Sequence, residues 1–269
     1  MKLPNTSEKG QVFMTCTINK VHTWENISPQ HIVSYIYSGE LILTYGNKTL
    51  TFRAGDSILV HKNQLSRSIK IPVDGQPFQC VSVLLTEEQL RRFYLNRPVL
   101  ESWSENITKQ RPIKAHPLLE SFFGSLLPYF EMQDELPEEL VNVKSEEILT
   151  IIDTVDKRAS AILGTFGDIG KIDLEKYMEE HYMYKLPLEK FAFLTGRSLT
   201  TFKSDFKKIF KKTPGRWLTE KRLKLAHHKL ETEKQKPTEV YLSVGFENLS
   251  HFTFAFKKAF GYSPGSLNN

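Results

Sequence analysis

Apolar and polar positions follow two regimes along this chain. Between residues 11 and 85, QVFMTCTI, HIVSYIYS, ELILTY, KTLTF, DSILV and FQCVSVLL are short runs rich in β-branched and aromatic residues. Turn chemistry separates them at Ser38-Gly39, Gly46-Asn47, Ala54-Gly55-Asp56 and Asp74-Gly75. Several short strands divided by turns predict a small barrel or jelly roll. From Thr86 to about Phe166 the spacing turns helical. TEEQLRRFYLNR opens on a Thr N-cap with an acidic first turn. Pro117 then begins an apolar stretch through Phe122, Phe123, Leu126, Leu127, Tyr129 and Phe130, and further helical spacing covers 138–152 and 153–166. Helices so placed pack on the barrel or offer an apolar face to a second copy of the chain. Residues 164–170, GTFGDIG, carry three glycines in seven positions and read as an interdomain linker.

Beyond it the helical period is strong and occurs twice. Leu199 to Gly215 reads LTTFKSDFKKIFKKTPG, and Leu249 to Gly265 reads LSHFTFAFKKAFGYSPG; at an offset of 50 they agree at 8 of 17 positions. A repeat marks one supersecondary unit built twice. Phenylalanines at i, i+4 and i+8 share one helical face, and the Lys-Lys pair lies near the opposite one. Ahead of the first copy, Pro187 starts a short helix with Leu188, Phe191 and Leu194 inward, and Gly196 ends it. Ahead of the second, Thr238 is expected to cap a helix running through Val244, followed by the turn Gly245-Phe246. Helix, glycine-containing turn, helix is the helix-turn-helix layout. Between the copies, Arg216 to Glu231 predicts one helix of about 24 Å. That length sets two recognition helices, 199–210 and 249–260, about one DNA turn apart, in successive major grooves on one duplex face.

Charge sharpens this picture. The net charge of +5 is uneven: residues 171–269 carry 19 Lys and Arg against 11 Asp and Glu, and residues 1–170 carry 17 against 20. A basic unit joined to a mildly acidic one points to a polyanion meeting only the C-terminal third. With Phe202, Phe206 and Phe210 inward, Thr200, Thr201, Ser204, Lys207 and Lys208 face outward, with Lys203 at the flank. Base reading falls to the N-terminal part of such a helix. Thr200, Lys203 and Ser204 are therefore assigned to base edges, and Lys207, Lys208, Lys211 and Lys212 to phosphates. On the second helix the outward residues are Ser250, His251, Phe254, Lys257 and Lys258, with Thr253 beside them. Phe254 either meets a thymine methyl or folds back against a neighbouring helix. The helix N-termini near Leu199 and Leu249 can also receive phosphates.

No catalytic constellation accompanies these features: no Ser-His-Asp cluster, phosphate loop or metal-ligand spacing can be read. His22, His31 and His61 stand isolated, whereas a divalent site needs three or four converging ligands. No cofactor is expected. Cys16 and Cys80 are the two cysteines, both in strand-like runs, and neither a secretion signal nor a run of about 18 apolar residues is present. A reduced cytoplasmic protein without membrane contact is the simple reading.

The C-terminal residues carry a resemblance. Gly245-Phe246, Ser250-His251-Phe252, Phe256-Lys257-Lys258, Phe260-Gly261 and Ser263-Pro264-Gly265 match the signature of the AraC/XylS family of bacterial transcription regulators. LTTFKSDFKKIF is similar to its ExsA-type branch, and SGELILTYGNKTLTFRAGDSILVHKNQ resembles the cupin-like sensor barrel of many bacterial regulators. The resemblance implies an α+β chain: a cupin-like regulatory and dimerisation domain over 1–163, the linker, and an all-α DNA-binding domain over 171–269 with two homeodomain-like helix-turn-helix units. It implies promoter DNA and RNA polymerase as partners, usually for activation, a homodimer, and an unidentified small-molecule or protein effector. Where many relatives carry a long polar or basic residue, this chain has Phe254. Two other readings stay open: control by a protein partner rather than a small ligand, and a metal-dependent cupin enzyme fused to a DNA-binding module.

Overall fold

The alternating runs pair as two antiparallel sheets. The structure, a computed structural model, describes residues 6–9, 11–46, 48–95, 97, 110–130, 137–166 and 171–267. Its strands are β1 (Thr6–Lys9), β2 (Val12–Thr17), β3 (Val21–Asn26), β4 (His31–Ser38), β5 (Glu40–Tyr45), β6 (Lys48–Arg53), β7 (Ser57–Val60), β8 (Ser66–Ile71), β9 (Phe78–Leu85) and β10 (Gln110–Ile113). One sheet has the order β1-β2-β9-β4-β7-β10 and the other β3-β8-β5-β6. Ile36, Leu41, Leu43, Phe52, Ile58, Phe78 and Cys80, drawn from both sheets, fill the space between them. Three of the expected turns close strands, at Ser38-Gly39, Ala54-Gly55-Asp56 and Asp74-Gly75; Asn47 of the fourth, Gly46-Asn47, lies outside the described residues. Gly39 has φ +81, and a Cβ there would meet the Ile71 carbonyl at 2.6 Å, so only glycine fits. At the tight turn Gly55-Asp56, the Asp56 carboxylate accepts the Arg53 N–H at 2.7 Å.

Four strands escaped the hydrophobic pattern, for two reasons. β1, β3 and β10 lie at sheet edges, where polar residues and even Pro112 are tolerated. β8 is interior but turns Ser66 and Ser68 into the buried face. β10 also corrects the all-helical expectation for 86–166.

Helices cover the other face of the larger sheet: α1 (Glu87–Tyr94), α2 (Pro117–Gly124), α3 (Glu138–Val155) and α4 (Lys157–Leu163). Thr86 and Gln89 form a reciprocal capping box at the start of α1. The apolar stretch after Pro117 packs inward: Leu119, Phe122, Phe123 and Leu126 join Val33, Tyr35, Val81 and Val83 in one core. Tyr35 and Phe123 stack at 5.4 Å. Buried Asp156 ties β10 to the helices. Its Oδ1 accepts from the N–H groups of Arg158 and Ala159, and its Oδ2 from Arg111 Nη2 and the Lys114 N–H.

His31 and His61, read as isolated, meet edge to face with ring centroids 4.5 Å apart. Strand pairing of β4 with β7 brings them together. No group of three or more His, Cys, Asp or Glu suited to a metal occurs among the described residues. Burial, with His61 and Lys62 adding and Glu87 opposing, holds the His31 pKa at about 3. The unfolded chain therefore takes up this proton first as pH falls. The stability His31 contributes is complete above about pH 6.5 and is lost progressively toward pH 3. Melting of this unit at pH 5 is expected to show a loss of about 2 kcal/mol relative to pH 7, removed in His31→Phe.

The chain divides into two compact units, Met1–Phe166 and Gly167–Asn269. Of the linker expected over 164–170, residues 167–170 lie outside the described residues. Gly164 caps α4, and Phe166 packs on the first unit's core. No helix among the described residues is long and apolar enough to cross a membrane.

The second unit is helical: α5 (Leu174–His181), α6 (Leu188–Leu194), α7 (Leu199–Phe210), α8 (Pro214–Glu231), α9 (Pro237–Ser243) and α10 (Leu249–Phe260), closed by a 3-10 turn, Pro264–Leu267. It has two cores. Leu174, Met178, Phe191, Phe202, Phe206, Trp217 and Leu218 form one; Leu223, Ala226, Leu230, Val240, Val244, Phe246, Phe252 and Phe256 form the other. The front half of α8 serves the first and its rear half the second. Thr238 is not the cap of α9: Lys236 occupies that position and Pro237 the first turn, because a proline pre-set for the helix moves the start upstream.

Candidate nucleic-acid interface

Each recognition helix is delivered by a glycine turn and a polar cap. Gly196 at φ +68 turns α6 into α7, and the Ser198 hydroxyl accepts the Thr201 N–H at 3.2 Å. Gly245 at φ +92 turns α9 into α10, and Asn248 Oδ1 accepts the His251 N–H at 2.7 Å. Each cap satisfies one N-terminal amide, and the remaining free amides keep the partial positive charge that attracts phosphate.

Aromatic packing sets the rotation of each helix about its axis. Phe202 and Phe206 are buried, and Phe206 meets Phe210 at 4.3 Å and Trp217 at 5.5 Å. Phe252 and Phe256 repeat this in the second core, with Phe256 to Phe260 at 4.6 Å. With these inward, Thr200, Lys203, Ser204, Lys207, Lys208 and Lys211 lie on the outer side of α7, and Thr201 has its hydroxyl 2.9 Å from that of Ser198. On α10, Ser250, His251, Phe254, Lys257 and Lys258 lie outward and Thr253 is half-buried. Phe254 is 69% exposed, which removes the fold-back alternative.

Carboxylates occupy several of the basic residues around these lysines. Lys212 and Arg216 share Glu220, Lys221 pairs with Glu179, and Lys229 with Glu233. Lys212, assigned to phosphate, is thus held by a carboxylate on α8. Lys203, Lys207, Lys208, Lys211, Lys257 and Lys258 have no carboxylate partner among the described residues. The C-cap of α7 is Lys211 in the left-handed region at φ +55, where α10 has Gly261 at φ +87. A lysine there costs about 1 kcal/mol against glycine.

Arg197 is a supporting residue that sequence reasoning missed. Arg197 lies in the first turn with its side chain almost wholly buried. It donates from Nε to Asp205 of α7 at 3.1 Å, and from Nη1 to the carbonyls of Ile172 and Thr195. It fixes the turn against α7 and the start of α5. Its position beside Gly196 was the one available signal, since a basic turn residue otherwise reads as solvated.

Both units of the chain are similar to known proteins. Residues 31–160 match the ExsA N-terminal regulatory domain, and residues 191–269 match a helix-turn-helix domain. The virulence regulon transcriptional activator VirF of Yersinia enterocolitica is 31% identical over 55% of each chain. The chain thus spans about half the length of that relative. The HTH-type transcriptional regulator ExsA of Pseudomonas aeruginosa is 24% identical over 88% of this chain and 86% of its own. Among solved structures, an apo ToxT variant of Vibrio cholerae is 13% identical over 95% of this chain and 96% of its own, with a TM-score of 0.48.

Proposed function

We propose that the chain is a member of the AraC/XylS family, as its matches to an ExsA N-terminal regulatory domain and a helix-turn-helix domain support, and that it is a sequence-specific transcription regulator, acting as an activator, that lays α7 and α10 into successive major grooves of promoter DNA. The observation that carries this reading is the set of lysines left without carboxylate partners on the outer faces of two helices in matched frames. α8, at 18 residues, is about 27 Å long, close to the roughly 34 Å of one DNA turn. Thr200, Lys203 and Ser204 read base edges in the first unit, with Thr201 beside them. Lys207, Lys208 and Lys211 hold phosphates. In the second unit Ser250, His251, Thr253 and Phe254 face bases, and Lys257 and Lys258 face phosphates. The N-terminal domain senses the effector and pairs two chains, so that a dimer in the cytoplasm presents its DNA-binding units to promoter and RNA polymerase.

Two substitutions separate reading from positioning. In competition binding with the full-length protein, Lys203→Ala is expected to relax preference at one base position by about 1–3 kcal/mol. Lys208→Ala is expected to weaken all duplexes alike. The reverse pattern would reject the assignment.

Phe254 makes its own prediction. An exposed aromatic among polar groove-facing residues has the thymine C5-methyl as its natural contact. Uracil in place of thymine at one position of the bound site is expected to cost about 1 kcal/mol, and nothing further in Phe254→Ala. A wild-type protein indifferent to every thymine methyl would remove Phe254 from base reading.

A further inference from the structure

The two helix-turn-helix cores share α8 and otherwise meet along a seam of backbone. A Cβ on Gly245 would stand 2.7 Å from the Met183 carbonyl oxygen and 2.9 Å from Arg222 Nε. The turn of the second helix-turn-helix therefore lies directly on the 182–185 connection of the first, with no space for a side chain. Into this seam α8 sends Arg222. Its Nε donates to the Tyr182 carbonyl at 2.8 Å, its Nη2 to the Tyr184 carbonyl at 2.6 Å, and its Nη1 to the Gly245 carbonyl at 3.1 Å.

We propose that Arg222 is the clasp that fixes the register of α10 relative to α7, and so sets the half-site spacing the protein accepts. Resting on the DNA-binding reading, this makes Arg222 a positioning residue with no DNA contact of its own. Three guanidinium nitrogens reach three carbonyls, two on one side of the seam and one on the other. A planar, permanently charged fork suits that geometry; an ammonium is a single point with flexible reach. The ion pair Lys185–Glu247 also crosses the seam, at 3.4 Å, but both side chains are exposed, so it adds little. Two binding modules held rigidly gain a high effective concentration at one spacing and forfeit it at others. A loosened seam spreads that gain over many spacings.

The test uses the full-length protein and a duplex that the wild type enriches from a pool randomised over about 30 base pairs. Affinity is measured on that duplex and on one with about five base pairs, half a turn, inserted between the two protected segments. For the wild type the insertion is expected to cost at least about 100-fold. Arg222→Lys keeps the charge, and Gly245→Ala pushes the same seam apart. Each, where it melts as cooperatively as the wild type, is expected to bind the original duplex about 10-fold more weakly while losing less than about 5-fold on insertion. A folded variant penalised by the insertion as heavily as the wild type would overturn the clasp and leave DNA binding standing. A wild-type protein that enriches no duplex would overturn both.

Discussion

Raising monovalent salt from about 50 to about 200 mM is expected to weaken binding of the full-length protein to its duplex by about 10³- to 10⁴-fold. The physical cause is counterion release: each phosphate neutralised frees condensed cations, and that gain shrinks as bulk salt rises. Five lysines without carboxylate partners among the described residues, Lys207, Lys208, Lys211, Lys257 and Lys258, together with two helix N-termini at Ser198 and Asn248, supply the contacts. Contact with about six to eight phosphates corresponds to a log–log slope of about −5 to −7. Lys212 contributes less than its neighbours because Glu220 competes for it. Titrations at several salt concentrations measure the slope directly. A slope shallower than about −2 would show that these lysines are merely solvated.

Phe206→Ala is expected to destabilise the second unit by about 3–5 kcal/mol. Its ring is fully buried and touches Phe202, Phe210 and Trp217, so truncation leaves a cavity at the junction of α7 and α8. Because α7 owes its rotation to these rings, the variant should lose DNA binding together with cooperative melting. Phe254→Ala, on an exposed face of α10, is expected to move stability by less than about 0.5 kcal/mol. Thermal melts of the two variants provide the comparison. A Phe206→Ala loss below about 1 kcal/mol would mean that the aromatic stripe does not hold the helix.

These two expectations draw on features the sequence displays openly. Phe202, Phe206, Phe252 and Phe256 recur at helical spacing in duplicated segments, so both the buried face and the basic face of α7 and α10 can be read from the residues alone. The strands rich in β-branched and aromatic residues, such as β4 and β9, are equally plain. Less legible were the elements whose partners lie far along the chain. β8 buries serines, and β1 and β10 take their place from neighbouring strands rather than from their own apolar content. His31 and His61 are brought together by the pairing of β4 with β7, which no local pattern announces. Arg197 and Arg222 look like any basic residue in a basic domain. Their roles depend on partners brought close by folding: Asp205 and the carbonyls of Ile172 and Thr195 for Arg197, and the carbonyls of Tyr182, Tyr184 and Gly245 for Arg222.

Hydroxyl-radical footprinting of the full-length protein on its enriched duplex tests the central claim most directly. Two protected segments on one face of the helix, about 10 base pairs apart, are the predicted result. Protection of a single groove, or of none, would contradict it.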